Sequence, residues 1–578
     1  MTWLKDKNQS AIAEIARWVS TLPRAQLLQA EQLKQFGRGH WHSGWSIPIN
    51  DGGSLVLLLD EAFPYSVPRL VLIDRPDLLA GPHVEADGFL CLTGPTARVD
   101  SLNPVSVIEH SYQEALALLS QNGQGGNQND FDIDFEAYWK REASDAKLYP
   151  ITGLLKPQGP SRIVASWSGA KFEFVAETEE DCLRWLANRY GGDEGRRTGK
   201  SALLFLKSLP SPSHYPKTLS QLRQLLRDNS DNGLNVFDEL IVSSTNATSI
   251  VLLGLNRNGA EKFGALFIYP PVAETGKGKP RDPIEKGFRI GHVPAQILAL
   301  RYRMAPAPFE RVDSARSRLR PEVVESLSNK KVAIIGCGSL GSGIAKLLLQ
   351  SGISQMWFAD PDKLDWTNIG RHELGAESVG HYKAEALAAR FKKAFPHVRD
   401  FTFSNTDWRT AYTANPSIFE SCDLILSLTG DWNSESALSD LHRSGEIHCP
   451  IIYGWLEERA AATHSLLLAP GDCLRCGFDH TGNILTTATC WPKTTAEDCG
   501  GIASVYGAAE LLPGQALVAE LALDVLTGIA TPPLRRVWLT NEHSLSSQGG
   551  WWNQKWIDTF GDPQPGGKIV VANWPQDA

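Results

Sequence analysis

Lys331 to Gly352 reads KVAIIGCGSLGSGIAKLLLQSG, and no other stretch restricts the folding of this chain so tightly. Lys331 to Ile335 form a run suited to a buried strand. Gly336, Gly338 and Gly341 follow at once, and then comes a run with helical spacing of apolar residues. A glycine turn between strand and helix lets the backbone approach an anion, and the helix N-terminus offers unpaired N–H groups to it. A second strand-like run, QMWFAD, ends at Asp360, near the roughly 20-residue offset at which a carboxylate meets a ribose. From about residue 311 onward strand and helix patterns alternate, the mark of a parallel sheet with crossover helices. On these residues alone a dehydrogenase and an ATP-using enzyme fit equally well.

At 578 residues the chain is too long for one core. The expected architecture is multidomain, α+β followed by α/β, with domains at 1–145, 146–310 and 311–578. The first opens with a helical pattern, AIAEIARWVSTL, followed by strand-like WSIPIN, SLVLLLD and RLVLID. A loop containing Cys91 leads to the helical run VIEHSYQEALALL. The polar, glycine-rich Gln121–Asp130 reads as a loop, and FEAYWKREA as a closing helix. The middle domain mixes strands (SRIVASW, KFEFVA, ALLFLK, SIVLLGL, GALFIYP) with helices (DCLRWLANRY, SQLRQLLRD). Its GGDEGRRTGKS is not a phosphate-binding P-loop: the required first glycine is Glu194, and the segment follows a helix rather than a strand. The tryptophans at 551, 552, 556 and 574 read as packing for strands or loops.

Composition excludes several classes. The net charge of −9 is spread without long runs, which leaves no basic face for nucleic acid. The N-terminal MTWLKDKNQS has no apolar signal core, and no stretch approaches the roughly 18 apolar residues of a membrane span. Nine scattered cysteines, an odd number, fit free thiols in a reducing cytoplasm better than a disulfide framework. Each cysteine is then core filler, metal ligand or nucleophile.

After Asp360 the chain runs DPDKLDWTNIGRHELGAESVGHYKAEALAARF. This resembles the ThiF/MoeB-type and ubiquitin-activating adenylation domains, with their Asp-x-Asp, Asn-Leu-x-Arg-Gln and Gly-x-x-Lys elements. The resemblance implies a Rossmann-like adenylation domain. In it Gly336, Gly338 and Gly341 face ATP, Asp360 holds the ribose, and Asn368, Arg371 and Lys383 contact phosphates. Fixed cations suit the charge that develops on an α-phosphate during adenylation. It further implies Asp431 as the magnesium carboxylate and an upstream arginine, Arg316 or Arg318. Two departures stand out: His372 replaces the family glutamine, and Trp432 interrupts the family's Asp-Asn pair at Asp431 and Asn433. Cys473 and Cys476 occupy the place of half a zinc site, with His480 as a further candidate ligand. No second CxxC follows, so a vestigial turn is the alternative. The segment AEDCGGIASVYG places Cys499 where the family carries its thioester- or persulfide-forming cysteine, with Cys490 as the rival in the same loop. Cys337, Cys422 and Cys449 are expected to be filler.

The N-terminal run FPYSVPRLVLID…GPHVEADGFLCL resembles ubiquitin-conjugating enzymes. Phe63-Pro64-Tyr65 and Pro68 match the start of that pattern, and Cys91-Leu92 its end. The family's oxyanion-stabilising asparagine becomes His83, eight residues before Cys91. A histidine also donates there, and near its own pKa it takes up protons.

Together the parts resemble the ubiquitin-activating/ubiquitin-conjugating fusion proteins of bacterial CBASS antiphage operons. The resemblance implies ATP-dependent adenylation of a partner protein's C-terminal tail, that partner being an operon-encoded nucleotidyltransferase that makes cyclic oligonucleotides. It also implies thioesters at Cys499 and then Cys91, an isopeptide bond to a lysine of a target, and a homodimer. A sulfur-carrier adenylyltransferase, which would not need Cys91, and a non-catalytic scaffold that binds a partner tail remain open alternatives.

Overall fold

The computed structural model describes residues 2–49, 52–74, 81–92, 99–125, 130–144, 151–156, 158–169, 172–192, 197–243, 247–257, 260–270, 294–312, 326–479, 482–492 and 506–575. The chain divides into two compact units, residues 1–151, 157–163 and 200–309 in one and 152–156, 164–199 and 310–578 in the other.

The first unit begins with helix α1 (Thr2–Val19) and an antiparallel sheet in the order β1 (Gln26–Leu27), β2 (Trp41–Pro48), β3 (Ser54–Asp60), β4 (Arg69–Ile73). β3 is buried along almost its whole length because both faces of the sheet are covered. Leu55, Leu57 and Leu59 pack with Ile15 of α1 and Ile108 of α2 (Pro104–Gln124), whereas Val56 and Leu58 pack with Leu33, Phe36 and Phe89. That alternation is the period-two pattern of a strand buried twice. α2 runs four residues into the expected loop and stops where Gly125, at φ 69°, takes up the left-handed conformation of a helix C-cap. Helix α3 (Phe135–Ser144) turns its aromatic face, Phe135, Tyr138 and Trp139, into a core shared with Leu204, Val251 and Leu266. The Trp139 indole N–H donates to Ala265 O at 3.1 Å. The later strands of this unit, Ser249–Arg257, Ala260–Tyr269 and Arg303–Ala307, pair antiparallel, and the first of them also pairs in parallel with Gly199–Phe205.

In the second unit an eight-stranded sheet carries the glycine turn. Its strands are β5 (Lys331–Ile335), β6 (Gln355–Ala359), β7 (Asp400–Ser404), β8 (Leu424–Ser427), β9 (Ile451–Leu456), β10 (Ala462–Leu468), β11 (Leu534–Asn541) and β12 (Gly566–Ala572), in the order β7-β6-β5-β8-β9-β10-β11-β12. The first five pair in parallel and the rest antiparallel. β5 lies between β6 and β8, so the chain reverses its direction of travel at β5. The C-terminal ends of β5 and β8 border the crevice where such sheets bind ligands. The helices that cover this sheet include α4 (Ser339–Gln350), α5 (Lys383–Ala394), α6 (Trp432–Arg443) and α7 (Ala508–Leu526). The GGDEGRRTGKS segment follows the helix Glu179–Tyr190 in the chain and its last three residues open the strand Gly199–Phe205, the reverse of a P-loop's strand-then-helix order. No helix among the described residues is long and apolar enough to cross a membrane.

Candidate functional site

Each glycine of the turn after β5 answers a different steric demand. Gly336 sits at φ 91°, and a Cβ there would lie 2.7 Å from Leu428 O. A Cβ on Gly341 would lie 2.0 Å from Gly336 O, so only glycine lets α4 approach the turn. Gly338 is the N-cap of α4, and its Cβ position meets nothing within 4 Å. That open space at a helix N-terminus, where N–H groups point outward, is a place for phosphate.

Side chains then lock the turn through its backbone. Asp360 accepts from Cys337 N at 2.7 Å and from Asp362 N at 2.8 Å. Each of its oxygens keeps a further lone pair for a ribose hydroxyl. Burial raises the Asp360 pKa, against the backbone N–H groups and Lys383, which lower it. Lys383 is buried and pairs with Asp362 Oδ2 at 2.9 Å. His372 donates from Nε2 to Cys337 O at 2.7 Å and accepts from Leu374 N at Nδ1, 3.0 Å. Burial lowers its pKa, which favours the neutral ring that this pair of bonds requires. The histidine that departs from the family glutamine therefore braces the glycine turn. Asn368 accepts from Asp365 N at 3.0 Å within the following turn. The Arg371 guanidinium stacks 4.6 Å from the Tyr506 ring, and Tyr506 Oη lies 3.1 Å from Ser339 Oγ. Gln515 of α7 donates to Ser339 O at 2.8 Å. Tyr506 and Gln515 carried no signal in the sequence, because their contact with Ser339 joins segments more than 160 residues apart.

Asp431 caps α6, accepting from Asn433 N at 3.2 Å and Ser434 N at 3.3 Å, and its residue is exposed. Behind it Glu435, 5% exposed, accepts from Thr429 Oγ1 at 3.1 Å and Gly430 N at 3.2 Å. Burial lifts the Glu435 pKa to about 7.

Cys473 and Cys476 correct two expectations. They are joined in a disulfide, against the expectation of free thiols throughout the chain. Sulfurs bonded to each other are not the thiolates that zinc needs, and the described residues contain no group of three or more His, Cys, Asp or Glu able to hold a metal. Cys473 and Cys476 are therefore a disulfide in this structure and not half of a zinc site. Cys490 pairs with Trp551 in a short two-stranded ribbon, and its neighbour Thr489 is held by Glu457 through N at 2.8 Å and Oγ1 at 2.6 Å. Burial raises its pKa, which disfavours the thiolate. Cys337, Cys422 and Cys449 likewise have pKa values raised by burial, as filler should. Cys499, His480, Arg316 and Arg318 lie outside the described residues. Two of the late tryptophans flank a buried cation: Arg535 lies 5.4 Å from the Trp556 ring and 5.2 Å from that of Trp574, and it donates to His464 Nδ1 at 2.9 Å.

In the first unit Cys91 ends a small hairpin. Cys91 N donates to His83 O at 2.9 Å, Val84 bridges Leu90, and Glu85 N donates to Phe89 O at 3.0 Å. Gly88 makes the turn at φ 81°, and a Cβ there would strike Leu72 O at 2.2 Å. Among the described free cysteines Cys91 alone is exposed. His83, at φ 64°, is adjacent to Cys91 through the backbone, but its ring faces carboxylates: Nε2 is 3.0 Å from Asp130 and Nδ1 is 3.6 Å from Asp134. The His83 N–H donates to Tyr138 Oη at 2.6 Å, and Asn122 Nδ2 donates to Pro82 O at 3.0 Å. Burial pushes the Tyr138 hydroxyl up to about 12, so it stays protonated. Asp130, Tyr138 and Asn122 carried no signal in the sequence.

Residues 313–549 match the ThiF family, and residues 16–148 match prokaryotic E2 family B. The chain thus joins an E2-type to a ThiF-type domain, the arrangement that its resemblance to the CBASS fusions implied, and it is an ATP-dependent ligase of E1/E2-like type. It is 24% identical over 497 residues, 82% of this chain and 86% of the relative, to the ATP-dependent ubiquitin transferase-like protein Cap2 of Pseudomonas aeruginosa (strain BWHPSA011 / Pa011). The protein of the same name from Escherichia coli (strain TW11681) is 24% identical over 581 residues, covering 92% of this chain and 93% of the relative. The solved structure of E. coli MccB with AMPCPP and SeMet MccA shares 18% identity over 45% of this chain and 68% of its own, with a TM-score of 0.31, too low to carry an argument.

Proposed function

We propose that the second unit adenylates the C-terminal carboxylate of a partner protein with ATP, that Cys499 takes the acyl group, and that Cys91 receives it and passes it to a lysine amine of a target. The observation that carries this reading is the exposure of Cys91 at the end of a braced hairpin, in a chain whose other described free cysteines are buried or half-buried. An exposed thiol is the one able to meet both an incoming thioester and an acceptor amine. In the second unit the partner's carboxylate attacks the α-phosphate of ATP and pyrophosphate leaves. Gly336, Gly338 and Gly341 give the phosphates room, Asp360 holds the ribose, and Asn368, Arg371 and Lys383 offset the developing charge. Asp431 would hold magnesium through lone pairs not used in capping α6. The resemblance to CBASS fusions points to an operon-encoded nucleotidyltransferase as the partner, to antiviral defence, to the cytoplasm and to a homodimer, with Arg316 or Arg318 as an added cation. The reading also divides the chain at 1–145, 146–310 and 311–578.

The test is intact mass spectrometry of the chain with ATP and candidate partners, alongside ATP–pyrophosphate exchange. Cys499→Ala should leave exchange intact and abolish every thiol-sensitive adduct. Cys91→Ala should leave the adduct on Cys499 and abolish conjugation. Exchange that yields only a sulfide-accepting adenylate would make the chain a sulfur-carrier adenylyltransferase. Absence of exchange with any partner that binds would make it a scaffold.

A further inference from the structure

The hairpin that ends at Cys91 sorts its side chains by the period of two. Val84 and Leu90 enter the core. His83, Glu85, Phe89 and Cys91 therefore share the opposite face. There a cavity of about 170 Å³ opens beside the thiol, and Arg38, Arg69, Glu85, Phe89 and Arg141 line it with Cys91. Glu85 is only 3% exposed, an unusual place for a carboxyl unless it is paired or used. It forms an ion pair with Arg141 of α3, and its other oxygen lies 4.0 Å from Arg38. Arg38 is bound in turn by Asp87 at 2.7 Å. Asp87 also acts on Glu85, its negative charge raising the Glu85 pKa. Arg69 has no ion-pair partner among the described residues and adds a third guanidinium group to the cavity wall.

An acceptor amine attacks only when neutral, and a free lysine near pH 7.4 is neutral in about one molecule per thousand. Neighbouring guanidinium groups disfavour the ammonium form and so lower the amine's pKa. Resting on the relay described above, we propose that this cavity is the acceptor site for a primary amine and that Glu85 is the catalytic group that takes its proton. The ammonium gives one proton to the Glu85 carboxylate. The nitrogen lone pair then forms a C–N bond to the acyl carbon held on Cys91. The C–S bond breaks, its electron pair leaves as the Cys91 thiolate, and the second nitrogen proton goes to solvent. The thiolate recovers a proton from Glu85. Burial raises the Glu85 pKa against the pull of Arg141 and Arg38, in the direction that a proton acceptor needs.

The step can be read without ATP or partner. In the full chain carrying Cys499→Ser, Cys91 is loaded by exchange with a short peptide α-thioester, and loss of the thioester to free lysine is followed from pH 6 to 9. Glu85→Gln should load as the parent does and lose lysine-dependent discharge by roughly tenfold to a hundredfold near pH 7. The deficit should narrow as the pH rises, and spontaneous hydrolysis should hold. Equal discharge by Glu85→Gln and parent, or equal losses in hydrolysis and aminolysis, would overturn the assignment. Arg69→Gln, an exposed position, gives an independent readout should Glu85→Gln not load: its discharge profile should move to higher pH, and an unmoved profile counts against the site. Failure of ATP-driven charging in the wild-type chain would sink the relay and leave this result standing.

Discussion

The glycine crevice and the Cys91 hairpin are both braced sites, and they are braced by different means. Around the crevice the grip is on backbone. Asp360 takes the N–H of Cys337, His372 takes its carbonyl, and the glycines leave no room for any Cβ at 336 or 341. Around Cys91 the grip comes from side chains of residues far along the chain. Asp130 faces the His83 ring, Tyr138 the His83 N–H, and Arg141 the Glu85 carboxylate. A site set by backbone tolerates few changes in residue type at a few positions. A site set by side chains tolerates changes until the distant element is altered.

The largest expected effect follows from the first kind of bracing. Gly341→Ala should destabilise the second unit by about 3 kcal/mol or more, because its new Cβ meets a carbonyl oxygen rather than a movable side chain. Thermal unfolding of the full chain should show this as a lowered transition. Gly338→Ala is the counterpart. Its Cβ meets nothing within 4 Å, so the transition should stay within experimental error while ATP–pyrophosphate exchange falls on the order of tenfold or more. If both variants lost stability alike, the open space at Gly338 would be a packing feature and not a binding one.

Glu435 tests whether the far wall of the crevice is tuned by charge. Its folded pKa, about 7, is raised above the ordinary carboxylate value. The contribution of this carboxyl is therefore fully present below about pH 4.5 and is lost as pH rises to about 7. Above that the fold carries a penalty of about 3 kcal/mol. Glu435→Gln keeps an acceptor for Thr429 Oγ1 and Gly430 N without the titration. Its unfolding temperature should exceed the wild-type value at pH 8 and converge with it near pH 5. A difference independent of pH would remove the carboxyl's charge from the explanation.

This contrast also accounts for what the sequence revealed. Gly336, Gly338, Gly341 and Asp360 were legible because a backbone-set site leaves fixed residue types at fixed spacing. Cys91 was legible by another route, as the end of a run that resembles ubiquitin-conjugating enzymes. Glu85 was in plain view six residues before Cys91 and carried no signal, since its burial depends on Arg141 of a helix that begins 50 residues later. The zinc reading failed because C-x-x-C spacing suits a disulfide as well as half of a metal site, and spacing alone does not choose between them. The loop reading of Gln121–Asp130 erred at residues 121–124, which are helical, because glycine content marks where a helix ends more faintly than it marks a turn.

Tyr138→Phe should produce the smallest effect and bears most directly on the side-chain-set site. It deletes the acceptor of the His83 N–H and leaves the ring in its core. An amide that loses its partner in a half-buried site costs about 1–2 kcal/mol. His83 already holds a left-handed backbone conformation that a histidine adopts reluctantly, so the loss should fall on residues 81–85 before it reaches the sheet. Amide hydrogen exchange across 83–91 should quicken by about tenfold, with exchange in β2 and β3 and pyrophosphate exchange in the second unit unchanged. Unchanged protection of 83–91 would mean that the hairpin is held by its own pairing with β4, through Leu72 N to Gly88 O and Leu90 N to Leu70 O. The Cys91 hairpin would then belong with the crevice, as a site set by backbone.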